Sequence, residues 1–473
     1  MRDTDVLIAG GGISGLSLAW WLVQHGYRVA VWEADHRVGG KIQSNCQDGY
    51  QTERSAALLM NFRPEVSELI RGAALESKKT RRNITVEARR YLLDQGELKA
   101  LPMRLGGLVC SPLWSLRGKL RLLAEPFMPA GHDVEESVSQ FITRRLGSEA
   151  LDKAFEPFVA GTLAADANHA SATATLPRLT ALEYRYGSIA GGILMNRLLR
   201  RKTGCVTDTF SFQGGMSTLV NTLAETPGIF VRTGHRVRGL IKRHDHWQVT
   251  AATASGEQTV NARQVVLATP APVAARLLDP LDSELAALLQ GIRYAPLGVV
   301  HLGFDRAAID HPLDGTGFLT PRQAGLSISG NLWMSSLFPD RAPPGKALLT
   351  AYVGGARLPQ ALAWDNERMI DETMGALQPL LGLKGDPEMV RIERHRQALP
   401  LYHGTYRARL QAIARQLQQL PGLHLEANYQ GGVSVRDRIA RGCALAERIA
   451  AAIPAPNWKP VPATLPRPLA SLS

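Results

Sequence analysis

An α/β chain organised around a discontinuous, Rossmann-like lobe is predicted by three observations. Residues 5–9 form a short apolar run that enters Gly10, Gly12 and Gly15 in G-x-G-x-x-G spacing, a helical stretch follows, and a second apolar run, 28–32, ends in the acid Glu33. A further apolar strand, 265–267, runs into Ala268, Thr269 and Pro270. Near the C-terminus, 423–425 leads through Asn428 to Gly431 and Gly432 ahead of another helical run. The nucleotide lobe is therefore expected from 1–59, 205–296 and 418–453, with a helical subdomain at 60–204, a mixed-sheet domain at 297–417 and a Pro-rich tail at 454–473.

Each residue type in the first unit has a physical task. Gly10 permits a tight turn, Gly12 lets the backbone approach a pyrophosphate with no Cβ intervening, and Gly15 lets the helix pack closely on the strand. Ile13 and Ser14 open the helix, where unpaired N–H groups and the positive dipole end meet the pyrophosphate charge. Glu33, about 20 residues on, suits ribose hydroxyls and repels a 2′-phosphate, which disfavours NADP.

The segment after Glu33 separates FAD from NAD. Arg37, Gly39 and Gly40 are similar to the R-x-G-G segment of many FAD oxidoreductases, in which the glycines wrap the ribityl-phosphate end; the alternative is a plain turn. Gln51, Thr52 and Glu53 resemble the place where such proteins present an acid beside the dinucleotide. Thr269 lies where the chain returns to the nucleotide, and Val237, on a strand at 237–241, is placed with it. Asn428, Gly432, Val433, Ser434 and Val435 form a second loop and helix start for the flavin. FAD is the expected cofactor.

Between these segments, 135–146 followed by Gly147 reads as a helix with a glycine stop, and 217–223 as another. Strands are expected at 229–233, 247–252, 299–304 and 347–353, and helices at 367–381 and from 435 to about Ala452. His244 and His246 fall in a hairpin turn. Four scattered cysteines, Cys46, Cys110, Cys205 and Cys443, indicate neither disulfides nor a metal.

With 473 residues the chain exceeds one compact core, and 45% hydrophobic with 20% charged residues is ordinary for a folded protein. No signal segment fits before the first strand and no apolar run is long enough to span a bilayer, so a cytoplasmic location is expected. The net charge is +12. Residues 78–121 hold eleven Lys and Arg against three acids, interleaved with Leu101, Met103, Leu105, Leu108, Trp114, Leu116, Leu120 and Leu122. Such a segment suits an anionic bilayer surface, an anionic substrate or a solvated helical face. Nucleic acid is disfavoured, because no DNA- or RNA-binding motif accompanies the charge.

Residues 10–16, 37–40, 98–102, 141–147, 157–161, 176–179, 210–219 and 432–439, in that order and spacing, resemble the protoporphyrinogen oxidases, within the amine oxidase and phytoene desaturase group of FAD enzymes. The resemblance covers nearly the whole chain. It implies an FAD lobe, a mixed-sheet substrate lobe and a helical lobe dipping into one membrane leaflet. It also implies dehydrogenation of a porphyrinogen, protoporphyrinogen or coproporphyrinogen, with hydride passing to the flavin and dioxygen as acceptor. Arg90 matches the arginine that pairs with a substrate propionate, a task suited to the guanidinium fork.

Three departures concern the substrate. Ser329 precedes Gly330 where a leucine usually faces the macrocycle, the Pro-Gln-Tyr-x-x-Gly-His pattern becomes Pro400 to Tyr406 around Tyr402, and Ala427 replaces a glycine before Asn428. These leave room for a relative on the same scaffold that acts on another apolar or nitrogen-containing substrate in a specialised pathway. A different class altogether is a flavin-containing protein without turnover, a binding module at a membrane, against which the intact glycine motifs and the full substrate lobe argue.

Overall fold

The parallel strands β1 (Thr4–Ala9) and β2 (Val29–Trp32) flank the helix α1 (Ile13–Gln24) and form the centre of the first sheet. The computed structural model describes residues 4–87, 89–101, 111, 113–131, 133, 135–198 and 208–453. β1 is buried at every position, as the unbroken apolar run requires for a strand covered on both faces. Ile229–Arg232 pairs parallel to β2 on one side. On the other, Gly256–Leu267 pairs parallel to β1 and continues into the antiparallel strands Trp247–Thr253 and Arg236–Lys242. The short strand Leu423–Leu425 adds alongside Val265–Leu267 and delivers the C-terminal helix, Val435–Ala452, onto α1.

The second sheet has seven strands, in the order Met389–Pro400, Tyr294–Asp305, Lys346–Gly354, Ile328–Trp333, Gly317–Leu319, Arg90–Asp94 and Glu97–Leu101. Its last two strands come from the region expected to be helical. Gln95 and Gly96 adopt φ of 55° and 82°, the left-handed pair of a two-residue hairpin turn, and Tyr91 and Leu92 then pair with Phe318 and Leu319. That hairpin places Arg90 on the penultimate strand, opposite Leu101 of the edge strand. A smaller sheet joins Leu59–Asn61 and Lys79–Arg81 to Asp208–Phe212.

The remaining helices of 113–198 share their own core, built around Val138, Phe141, Ile142 and Val159. Val138–Leu146 starts with a capping box between Ser137 and Gln140 and stops at Gly147, φ 95°. A buried ion pair joins Arg145 to Glu125. Glu125 also accepts hydrogen bonds from Ser188 Oγ (2.8 Å) and from the N–H groups of Ile189 (2.9 Å) and Ala190 (3.0 Å). Burial pushes the Glu125 carboxyl up, but these donors outweigh it and hold the pKa below its ordinary value.

Part of the basic segment differs from expectation. Trp114 is buried in this core, and Leu101 and Leu122 pack against it. Leu116, Leu120, Leu123 and Phe127 project into solvent. Met103, Leu105, Leu108 and the tail 454–473 lie outside the described residues. Among the described residues no helix is long and apolar enough to cross a membrane.

Candidate active site

The glycine turn after β1 opens into a cavity of about 2000 Å³ between the two large sheets and the helices. Its wall includes Gly10, Gly12, Ile13, Ser14, Glu33, Gly39, Gly40, Val237, Thr269, Asn428, Gly432, Val433, Ser434 and Val435, brought together from three distant parts of the sequence. Gly15 stands behind the turn, where a Cβ would come within 2.1 Å of Gly10 O. Its task is helix-to-strand packing.

Arg37 braces the second glycine pair: its guanidinium donates to the carbonyls of Gly40 (2.8 Å), Val38 (3.0 Å) and Ile42 (3.3 Å). Glu33 borders the cavity, but its carboxylate accepts from the N–H groups of Gly11 (2.6 Å) and Asp35 (2.9 Å), so it also locks the turn that its sequence position only accompanies.

These residues fit a dinucleotide. A Cβ on Gly12 would have, among the described residues, only Gly40 Cα within 4 Å, at 4.0 Å, so no described side chain fills the space in front of this turn. No side chain caps the first turn of α1, whose N–H groups are left for an anion. Thr269 Oγ1 is buried without a hydrogen-bond partner among the described residues. The opposite loop is tied down by buried hydrogen bonds. Arg438 is fully buried and donates to Glu426 (2.8 Å) and to the carbonyls of Ala427 and Gln430, while Ser434 Oγ caps the C-terminal helix by accepting from Asp437 N–H (3.3 Å).

The other end of the cavity is lined by Phe318, Leu319, Leu399, Leu163 and Val299. Arg90 enters it at the start of its hairpin. Burial lowers its pKa, and among the described residues no carboxylate lies within ion-pair distance of its guanidinium. Ser329 lines the same region, but its Oγ donates to Tyr352 O (3.3 Å), so the hydroxyl is directed along the sheet. The ring of Tyr402 packs against that of Tyr406 with centres 4.8 Å apart and planes inclined at 57°, and its buried hydroxyl has no hydrogen-bond partner among the described residues. Burial raises its pKa, with smaller influences from Arg438 and Asp437 that place it beside the C-terminal loop.

The profile of the flavin-containing amine oxidoreductases matches residues 13–450. The chain belongs to that family. This oxidoreductase is 31% identical over 476 residues to protoporphyrinogen oxidase 2 of Arabidopsis thaliana, covering 94% of this chain and 93% of the relative. It is 27% identical over 468 residues to coproporphyrinogen III oxidase of Bacillus subtilis, covering 92% and 96%. A crystal structure from Exiguobacterium sp. 255-15, provisionally named a protoporphyrinogen oxidase, shares the fold with a TM-score of 0.79 at 24% identity, over 96% of this chain and 100% of that one. The resemblance read from the sequence is borne out, and FAD is the cofactor of this flavoenzyme.

Two residues of the oxidoreductase are placed otherwise than their sequence context suggests. Lys41, directly after Gly40, lines the cavity; its Nζ donates to Ala398 O (2.5 Å), and burial lowers its pKa to about 8. The only signal for it is adjacency to the glycine pair. Glu53, expected beside the dinucleotide, is buried under a different loop: it accepts from Met216 N–H (2.9 Å) and Ser44 Oγ (2.8 Å), and burial raises its pKa to about 7.

A Glu53 pKa raised above its unfolded value has a definite sign in stability. Below about pH 4.5 both states are protonated. Between there and pH 7 the unfolded chain ionises first and stability is lost, by roughly 3 kcal/mol in all. Glu53→Gln keeps an acceptor for Met216 N–H and cannot ionise. Thermal unfolding should therefore show a variant-minus-wild-type difference that rises from pH 4.5 to 7 and levels off above; a difference independent of pH would contradict the assignment.

Proposed function

We propose that this flavoenzyme dehydrogenates a porphyrinogen, protoporphyrinogen or its coproporphyrinogen analogue, to the porphyrin in haem biosynthesis, with dioxygen as the terminal acceptor. The observation that carries the reading is Arg90: a guanidinium without a carboxylate partner among the described residues, in the apolar end of a cavity continuous with the dinucleotide cradle. The names of the Arabidopsis and Bacillus relatives support the same substrate class.

Bound FAD supplies the hydride acceptor. Arg90 takes a substrate carboxylate through its fork and fixes the orientation of the ring system. Leu319, Phe318 and Leu399 hold the flat apolar macrocycle and exclude water from the reacting carbon. With its hydroxyl turned to Tyr352 O, Ser329 leaves that wall more apolar than its residue type suggests. Gly12, Ile13 and Ser14 serve the pyrophosphate. The unpartnered hydroxyl of Thr269 is a donor for the cofactor, and that of Tyr402, beside the C-terminal loop, is a donor for the substrate or the flavin.

Anaerobic mixing with protoporphyrinogen or coproporphyrinogen should bleach the flavin band near ~450 nm, and admission of air should yield fluorescent porphyrin with peroxide. Flavin that stays oxidised with both would overturn the reading. Arg90→Ala should raise KM by about tenfold or more with a smaller effect on kcat, because it removes binding rather than redox chemistry. An unchanged KM would remove Arg90 from the site.

A membrane contact is proposed on separate grounds. Leu116, Leu120, Leu123 and Phe127 are spaced four, three and four residues apart, and they are 75%, 60%, 58% and 84% exposed. Arg117, Lys119 and Arg121 lie among them on the same segment. An exposed apolar stripe beside basic residues suits an anionic bilayer surface. The protein should float with vesicles containing anionic lipid, and Leu116→Glu with Leu120→Glu should abolish flotation; failure of the wild type to float on any vesicle would return the segment to a solvated face.

A further inference from the structure

A group of cations in the cavity wall has no place in the cradle or at Arg90. Phe62 and Arg63 follow the strand Leu59–Asn61, Arg178 opens the helix Pro177–Tyr186, and Arg436 opens the C-terminal helix. All four line the cavity. The guanidinium carbons of Arg178 and Arg436 each lie 4.4 Å from the centre of the Phe62 ring. Arg63 Nη2 is 3.4 Å from Asp437 Oδ1, and Arg436 Nε is 4.0 Å from the same oxygen. Two guanidiniums thus share one carboxylate while the third, Arg178, has none, and that carboxylate also accepts Ser434 Oγ at 2.5 Å.

The donors exceed the acceptors. Arg178 has no ion pair or hydrogen bond among the described residues; Arg436 Nη1 donates to Met60 O (3.3 Å), but the buried Nε–H groups of Arg63 and Arg436 have no hydrogen-bond acceptor among the described residues. Burial lowers the pKa of Arg436, the nearby Asp437 raises it, and Arg178 and Arg63 lower it further, so the three cations repel one another. Like charges gathered in a cavity wall cost stability unless an anion enters between them. A planar aromatic face with guanidiniums against it holds those groups in place and leaves their N–H edges for a planar oxyanion.

We propose that Arg63, Arg178 and Arg436 form a second carboxylate-binding subsite, which takes acidic side chains of the substrate that Arg90 does not reach. The inference rests on the porphyrinogen reading and deepens it: the favoured substrate is a porphyrinogen with more than two carboxylates. Arg90 comes from the penultimate strand of the mixed sheet, whereas the cluster comes from the strand-to-helix segment after Leu59–Asn61, the helix Pro177–Tyr186 and the C-terminal helix. A macrocycle held in the cavity is therefore gripped through acidic groups on separate sides.

The test compares the flavin-loaded wild type, Arg178→Gln and Arg178→Lys on coproporphyrinogen III, with four carboxylates, and protoporphyrinogen, with two. The expected result is a KM for coproporphyrinogen raised about tenfold by Arg178→Gln and largely restored by Arg178→Lys, with flavin content and kcat close to wild type and a much smaller KM change for protoporphyrinogen. Equal KM changes on both substrates, or none, would overturn the subsite while leaving the porphyrinogen reading intact. Loss of flavin from Arg178→Gln would overturn it too, by assigning the cluster to the cofactor's phosphates. A wild type that oxidises neither substrate would overturn the porphyrinogen reading itself, and the subsite with it.

Discussion

The structure depends on a close approach between two glycine turns. Gly39 N–H donates to Gly11 O at 2.8 Å, Gly39 and Gly12 form a parallel bridge, and Gly40, with φ 58°, lies so near that a Cβ on it would sit 3.3 Å from Gly12 Cα. The requirement for glycine falls on the second turn, where Gly39 and Gly40 have φ of 97° and 58° and a Cβ on Gly39 would lie 2.6 Å from Ile42 O. The contact fixes the ends of β1 and β2 together and aims the first turn of α1 at open space. Arg37 and Glu33 then serve the turns from behind, one by donating to carbonyls and the other by accepting from N–H groups.

The rest of the site is added to that contact. The strand Gly256–Leu267 brings Thr269 and the strand Leu423–Leu425 brings Asn428 to the same side as Gly12, because both run parallel to β1 or to its neighbour and end at its C-terminal edge. Ligands of open α/β sheets bind at that edge. The buried Arg438 and Glu426 pair closes the C-terminal loop over it. The mixed sheet supplies the far wall, in which Arg90, half-buried, has no carboxylate partner among the described residues and Phe318, Leu319 and Leu399 give apolar surface. Leaving a half-buried cation without a partner is unfavourable for folding and favourable for holding a carboxylate.

The nucleotide lobe is legible in the sequence because its signals are backbone requirements: glycines at fixed offsets, a strand before them and a helix after. The same logic marks Gly432 to Val435. The hairpin bearing Arg90 is less legible, although Asp94, Gln95, Gly96 and Glu97 carry a turn signal; a long, mostly helical surrounding region hides two short strands. The place of Glu53 is hidden because one of its partners, Met216, belongs to a loop more than 150 residues away, and burial rather than residue type determines its state. Trp114 is ambiguous for a related reason: an aromatic residue among basic ones has the same local pattern whether it faces lipid or a helical core.

The space in front of Gly12 is shaped by the backbone for a cofactor and is not needed by the fold. The decisive measurement is reconstitution of Gly12→Ala apoprotein with FAD, followed by flavin absorption and by far-ultraviolet circular dichroism. Gly12 has an ordinary φ of −76°, and no described protein atom stands closer than 4.0 Å to the added Cβ. The variant should therefore fold with an unchanged dichroism spectrum yet bind FAD about tenfold or more weakly. Wild-type affinity for FAD in a correctly folded Gly12→Ala protein would contradict a cradle formed at this turn.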